Sequence, residues 1–118
     1  MCIRDRYDKG LQATGLKLPC TLPGYRHVFH LYVVETPKRD AMLKFLNDSG
    51  IDAKCHYPIA IHQQQGFPWG KDADQNVKLP NAEANAAQCV SLPMFPELQQ
   101  DEIDYTIEKC VEFCTKNR

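Results

Sequence analysis

The sequence predicts an α+β fold: a small three-stranded sheet with helices packed on one face. Three observations carry this. Arg26 to Glu35, RHVFHLYVVE, is dense in β-branched and aromatic residues and stops before Pro37. Asp101 to Lys116 places Ile103, Ile107, Cys110 and Cys114 on one helical face. The elements read in order as strand–helix–strand–loop–helix–strand–helix, which supplies helices for one layer over a sheet.

At 118 residues the chain fits one domain. Met1 to Arg6 (MCIRDR) are polar and lead into no pattern, so they read as a non-native N-terminal scar, and the domain is taken as residues 7–118. Tyr7 to Leu16 reads as a helix remnant broken by Gly10 and Gly15. Pro19, Pro23 and Gly24 mark an irregular entry to the first strand. Along that strand Val28, His30, Tyr32 and Val34 should face one way, and Phe29, Leu31 and Val33 the other.

Thr36 as cap and Pro37 at the first helical position start a helix whose apolar face is Met42, Phe45 and Leu46. Gly50 supplies its left-handed stop. Ile51 to Tyr57 reads as a second strand, ended by Pro58. Pro58 to Leu79 is irregular and holds the pair Phe67 and Trp69. A loop of this length in a small domain is usually functional. Asn81 to Gln88 is alanine-rich and helical, capped by Asn81. Cys89 to Met94 is the third strand, and Asp101 to Lys116 the last helix, with acids in its first turn. A sheet with helices on one side leaves Phe29, Leu31 and Val33 facing outward. That unfinished apolar face predicts a partner.

Composition excludes several function classes. Lys plus Arg is 14 and Asp plus Glu 15, a net charge of −1 that gives no general pull toward nucleic acid or anionic lipid. No stretch approaches the roughly 18 apolar residues of a spanning helix. The six cysteines, at 2, 20, 55, 89, 110 and 114, form no CxxC pair, and the start has no secretory signal. Reduced thiols and a cytoplasmic location follow as the expectation. Phosphate loops, dinucleotide fingerprints, nucleophile elbows and HExxH are absent.

The groups able to carry chemistry gather mid-chain: His27, His30, Cys55, His56, Tyr57 and His62. A metal set from His30, Cys55, His56 and His62, or a Cys55–His56 nucleophile pair, meets one objection. Neighbours on a strand point to opposite faces. His30 reads as a satisfied core histidine. His56 and Tyr57, at a strand end, offer a ring donor and a phenol, which suit polyhydroxyl or phosphate ligands. Asp72, Asp74, Asn76 and Glu83 mimic a calcium loop, but Val77 stands where glycine is needed. Asn47-Asp48-Ser49 spells a glycosylation sequon at a helix end.

Four motifs occur in order: YRHVFHLYVV (Tyr25 to Val34), RDAMLKFLNDSGI (Arg39 to Ile51), HYPIAIHQQ (His56 to Gln64) and SLPMFPEL (Ser91 to Leu98), the last followed by DEIDY. Together they resemble the C-terminal small domain of the DegT/DnrJ/StrS sugar aminotransferases, enzymes of pyridoxal-phosphate fold type I. The resemblance runs from about Tyr7 to the C-terminus. It implies a parent that moves an amino group from an amino acid, with glutamate the expected donor, to a nucleotide-linked keto-sugar, and that works as a homodimer.

It also implies a missing N-terminal large domain, since the family's Schiff-base lysine lies in a Ser-rich stretch before Gly-Glu-Gly-Gly. None of the nine lysines here has that context. The chain is therefore expected to be one piece of a longer enzyme and inactive alone. In the family His56 and Tyr57 fall at the substrate mouth, followed by His62 and Gln64, while His30 matches a structural strand histidine. The family's Thr or Ser cap is Gln99 here, expected to cost the last helix about 1 kcal/mol. Two other readings stand beside this one: a non-catalytic interaction domain using the apolar sheet face, and a metal or redox module.

Overall fold

The structure, a computed structural model, describes residues 2–65 and 77–117. Its elements are α1 (Ile3–Leu11), β1 (Tyr32–Glu35), α2 (Arg39–Asp48), a 3₁₀ turn (Ile61–Gln63), α3 (Pro80–Gln88), β2 (Cys89–Leu92) and α4 (Gln100–Lys116). The α+β class holds. The Phe67–Trp69 pair and positions 72–76 of the calcium-like run lie outside the described residues.

The three-stranded sheet is corrected to two strands. β1 and β2 pair antiparallel, with Tyr32 opposite Leu92 and Glu35 opposite Cys89. The expected second strand is reduced to one bridge on the far edge of β2, between Lys54 and Ser91. A second bridge, Lys17 to Glu35, extends the outer edge of β1. Proline limits the ladder. Leu31 would next pair with Pro93, which has no N–H to give.

Without that partner, residues 26–31 curl away. Phe29 has φ of 51° and its N–H donates to His27 Nδ1 at 2.9 Å. His30 is exposed on this turn, so it is not a core histidine.

One layer of core lies between sheet and helices. Tyr32, Val34, Val90 and Leu92 from the sheet meet Tyr7 and Leu11 of α1, Met42 and Leu46 of α2, and Ile103, Cys110 and Phe113 of α4. The α4 stripe is rotated from the one expected: Thr106 and Phe113 are buried, Ile107 and Cys114 only half-buried. Tyr32 Oη donates to Asp8 at 2.6 Å, and Tyr7 Oη to the Pro93 carbonyl at 2.9 Å.

Residues 3–6, set aside in the sequence reading, form the first turn of α1, with Arg6 paired to Asp104 of α4. Gly10 does not break the helix. A Cβ there would stand 2.6 Å from Ile107 Cγ2, so glycine is what lets α1 lie against α4.

The helix ends differ in detail from the expectation. α2 starts at Arg39, and Thr36 Oγ1 instead accepts from Lys38 N–H at 3.2 Å. Gly50, at φ of 79°, ends it, and Ile51 N–H reaches back to the Leu46 carbonyl at 3.0 Å. α3 begins at Pro80, with Leu79 rather than Asn81 at the cap. At α4 the poor cap is mended by Glu102, whose carboxylate accepts from Gln99 N–H at 2.8 Å.

The outward apolar sheet face is also corrected. Leu31, Val33 and Phe29 are half-buried, Phe29 with Arg4 stacked 5.0 Å over its ring. Exposed apolar groups lie elsewhere, among them Leu22, Tyr25 and Val28, and Tyr57, Ile59, Ile61, Val77 and Leu79.

Candidate functional site

β2 is the base of the site, because both edges of this strand are used. On one edge Ser91 stands opposite Val33 of β1, and on the other Ser91 exchanges two backbone hydrogen bonds with Lys54, at 2.7 and 3.1 Å. That bridge delivers the next residues. Cys55 Sγ reaches Cys89 Sγ at 3.3 Å, and His56 Nδ1 lies 2.9 Å from Ser91 Oγ. Cys89 and Ser91 are two apart on β2, hence on one face. Cys55 and His56 therefore point the same way. The objection from strand alternation fails, because the ladder ends at Lys54.

Beyond His56 the chain turns out over α3. His56, Tyr57, Ile59, Ala60, Ile61 and His62 form one wall of an open cavity of about 500 Å³, and Leu79, Ala82, Asn85 and Ala86 the other. This volume is in the range of small-molecule sites. The Tyr57 ring meets the His56 ring edge-on, with centroids 5.6 Å apart, and is 71% exposed, so its hydroxyl is open to a ligand.

His62 Nε2 lies 3.0 Å from Glu83 Oε1, which also accepts the Leu79 N–H at 2.9 Å. The His62 hydrogen bond, then the Leu79 N–H, hold the Glu83 carboxyl below its ordinary range. That pair fixes the 3₁₀ turn to α3 and so sets the cavity width. Arg39 stands behind the Ala86 wall, donating through Nη1 to the Ala86 carbonyl at 3.1 Å and to Cys55 Sγ at 2.9 Å.

Of the four residues expected at a substrate mouth, the structure brings three together. Gln64 is exposed at the end of the 3₁₀ turn and does not line the cavity. Ser91, Asn85 and Arg39 were not singled out from the sequence, and Glu83 only as the last position of the rejected calcium-like run. Ser91 stands in the SLP motif, yet nothing in one dimension says that its hydroxyl meets an imidazole 35 residues away.

No group of three metal-ligating side chains occurs among the described residues. A pyridoxal-phosphate cofactor needs a lysine amine at the cavity, and no lysine lines this one. Six lysines are held elsewhere: Lys17 by Glu35, Lys38 by the Asn117 carbonyl, Lys44 by Asp48, Lys54 by Asp52, and Lys109 and Lys116 by Glu112. Lys9 and Lys78 are exposed. The described residues do not fit that cofactor by themselves. Among them, no helix is long and apolar enough to cross a membrane.

The chain is similar to known proteins. The chain is 40% identical over 95 residues to a pleiotropic regulatory protein of Geobacillus stearothermophilus, covering 80% of this chain and 25% of that one. It is 37% identical over 118 residues to a dTDP-3-amino-3,4,6-trideoxy-alpha-D-glucose transaminase of Micromonospora megalomicea, covering 96% of this chain and 31% of that one.

The crystal structure of S. venezuelae DesV in complex with a ketimine intermediate superposes with a TM-score of 0.87 at 33% identity. That alignment covers 95% of this chain and 30% of DesV. The chain thus spans less than a third of the length of each of these three proteins. The sequence profile of the DegT/DnrJ/EryC1/StrS aminotransferase family matches residues 2–111, and the chain belongs to that family.

Proposed function

We propose that this chain is the C-terminal small domain of a pyridoxal-phosphate aminotransferase that moves an amino group from glutamate to a nucleotide-linked keto-sugar. The large domain that binds the cofactor and carries its lysine is a separate part of the same enzyme. On this reading residues 7–118 are the working domain, the enzyme acts as a cytoplasmic homodimer in the synthesis of polysaccharide or secondary-metabolite sugars, and this piece alone is inactive.

The carrying observation is that His56, Tyr57 and His62 share one wall of an open cavity. When bound in the large domain, the cofactor supplies the electron sink for amino transfer. The residues here bind and orient. His56, with Nδ1 engaged by Ser91, keeps Nε2 for a phosphate or hydroxyl of the nucleotide-sugar. Tyr57 Oη adds a second polar contact, and Gln64, exposed just past the 3₁₀ turn and outside the cavity lining, a third where the substrate extends beyond the mouth. Ile59, Ile61 and Leu79 give the mouth an apolar edge that excludes water once the large domain closes over it.

Nuclear magnetic resonance of the chain titrated with dTDP tests this reading. The His56, Tyr57 and His62 ring signals should move together and saturate, while His27 stays still. Movement of all four histidines alike, or of none, contradicts it.

A further inference from the structure

Two thiols meet beside the cavity, at a place the proposed reaction does not use. Cys55 Sγ and Cys89 Sγ are 3.3 Å apart and unbridged. A disulfide bond of about 2.05 Å requires a closure of roughly 1 Å. The two differ in access. Cys89 is 0% exposed on β2, whereas Cys55 is half-buried on the segment that follows the Lys54 bridge. An oxidant from solvent therefore meets Cys55 first.

Arg39 Nη1 donates to Cys55 Sγ at 2.9 Å, so a cation stands where a nucleophilic sulfur carries its negative charge. Burial, with the neighbouring Cys55 sulfur, pushes the Cys89 thiol up to about 11, which leaves it protonated and unreactive until a partner is presented.

We propose that Cys55 and Cys89 are a redox pair, in which a hydroperoxide oxidises Cys55 and Cys89 resolves the product into an intramolecular disulfide. The Cys55 sulfur, having released its proton, attacks one oxygen of hydrogen peroxide. The O–O bond breaks, and the departing hydroxide takes up the proton as water. Cys55 is then a sulfenic acid. The Cys89 sulfur attacks the Cys55 sulfur, the S–O bond breaks, and the leaving hydroxide takes the Cys89 proton as a second water. Two thiols lose two electrons to one peroxide, and a thiol reductant reverses the step. The bridge fastens residue 55 to β2 and holds the adjacent His56 over Ser91, so oxidation fixes one wall of the cavity.

The test uses the full chain, reduced, freed of reductant, exposed to hydrogen peroxide, then unfolded in alkylating agent, digested and weighed. Four of the six cysteines should alkylate, with the peptides of Cys55 and Cys89 joined and released by reductant. Cys89→Ser should leave a sulfenic acid at Cys55, trapped by dimedone. Cys55→Ser should leave Cys89 alkylated and unoxidised. Both variants are close in shape, and the wild-type map stands if either fails to fold. Six alkylated cysteines after peroxide, a bridge from Cys55 or Cys89 to another cysteine, or a Cys89→Ser chain that traps nothing at Cys55 overturns the proposal.

Discussion

His56 is tethered to the sheet by Ser91, with Nδ1 and Oγ 2.9 Å apart. Ser91 is 3% exposed and belongs to β2, whose backbone is paired on both edges at this residue. The imidazole is thus held by a buried strand position flanked by chain on both sides, although it belongs to a segment with one bridge.

Ser91→Ala removes that tether and leaves one imidazole nitrogen without its partner. The folded state should lose about 1 kcal/mol in urea unfolding, and dTDP binding should weaken several-fold through a freer His56 ring. An unchanged midpoint and unchanged binding would show that the hydrogen bond positions nothing.

Gly10→Ala places a methyl group where Ile107 Cγ2 is 2.6 Å away and Cδ1 2.8 Å away. Alanine has the better helix propensity, by about 1 kcal/mol, so an open site would be stabilised. Here the clash wins, because Ile107 is branched at Cβ and cannot swing clear. Thermal unfolding should show a net loss of about 1–2 kcal/mol, typical of overpacking. A gain in melting temperature would mean that α1 does not lie against α4.

These two cases mark what the sequence discloses. Tyr32–Glu35, Cys89–Leu92 and α4 were legible, because β-branched density and helical spacing are local signals. The length of the first strand was not. Its ladder is ended by Pro93, a residue some 60 positions away whose effect depends on register. Gly10 looked like a breaker because its packing against Ile107 is a tertiary fact. His56 and Tyr57 were found through a motif, and His62 with them. The roles of Ser91 and Glu83 were missed, since each acts by a hydrogen bond across more than 20 residues. Cys55 and His56 were set on opposite faces by assuming a strand that runs to Tyr57, whereas pairing ends at the Lys54 bridge.

The pH response of α4 is set by Glu112. Hydrogen bonds from Lys109 and Lys116 hold its carboxyl down to about 2. The unfolded value lies near 4.5. A carboxyl lowered on folding stabilises above its unfolded pKa, and that contribution fades as pH falls from about 4.5 through about 2. Since the group is at the surface, the effect on global stability is small. A carbon-detected titration of Glu112 should give a midpoint well below 4.5, and Lys109→Met with Lys116→Met should restore the ordinary value. A wild-type midpoint near 4.5 would mean that the pairs do not form in solution.

Pyridoxal phosphate mixed with the chain in equal amounts should keep the absorption of free cofactor, because no lysine lines the cavity. A stable stoichiometric new band would contradict the assignment of cofactor binding to another domain.

The central claim is that His56 contacts the nucleotide-sugar within a longer aminotransferase. The most direct measurement is the steady-state kinetics of His56→Ala in that whole enzyme, with the cofactor spectrum recorded alongside. Loss of one hydrogen bond to a charged group, about 1.5 kcal/mol, predicts a KM for the sugar raised on the order of tenfold with the spectrum unchanged. An unaltered KM, or a cofactor spectrum that shifts with the substitution, would contradict the account.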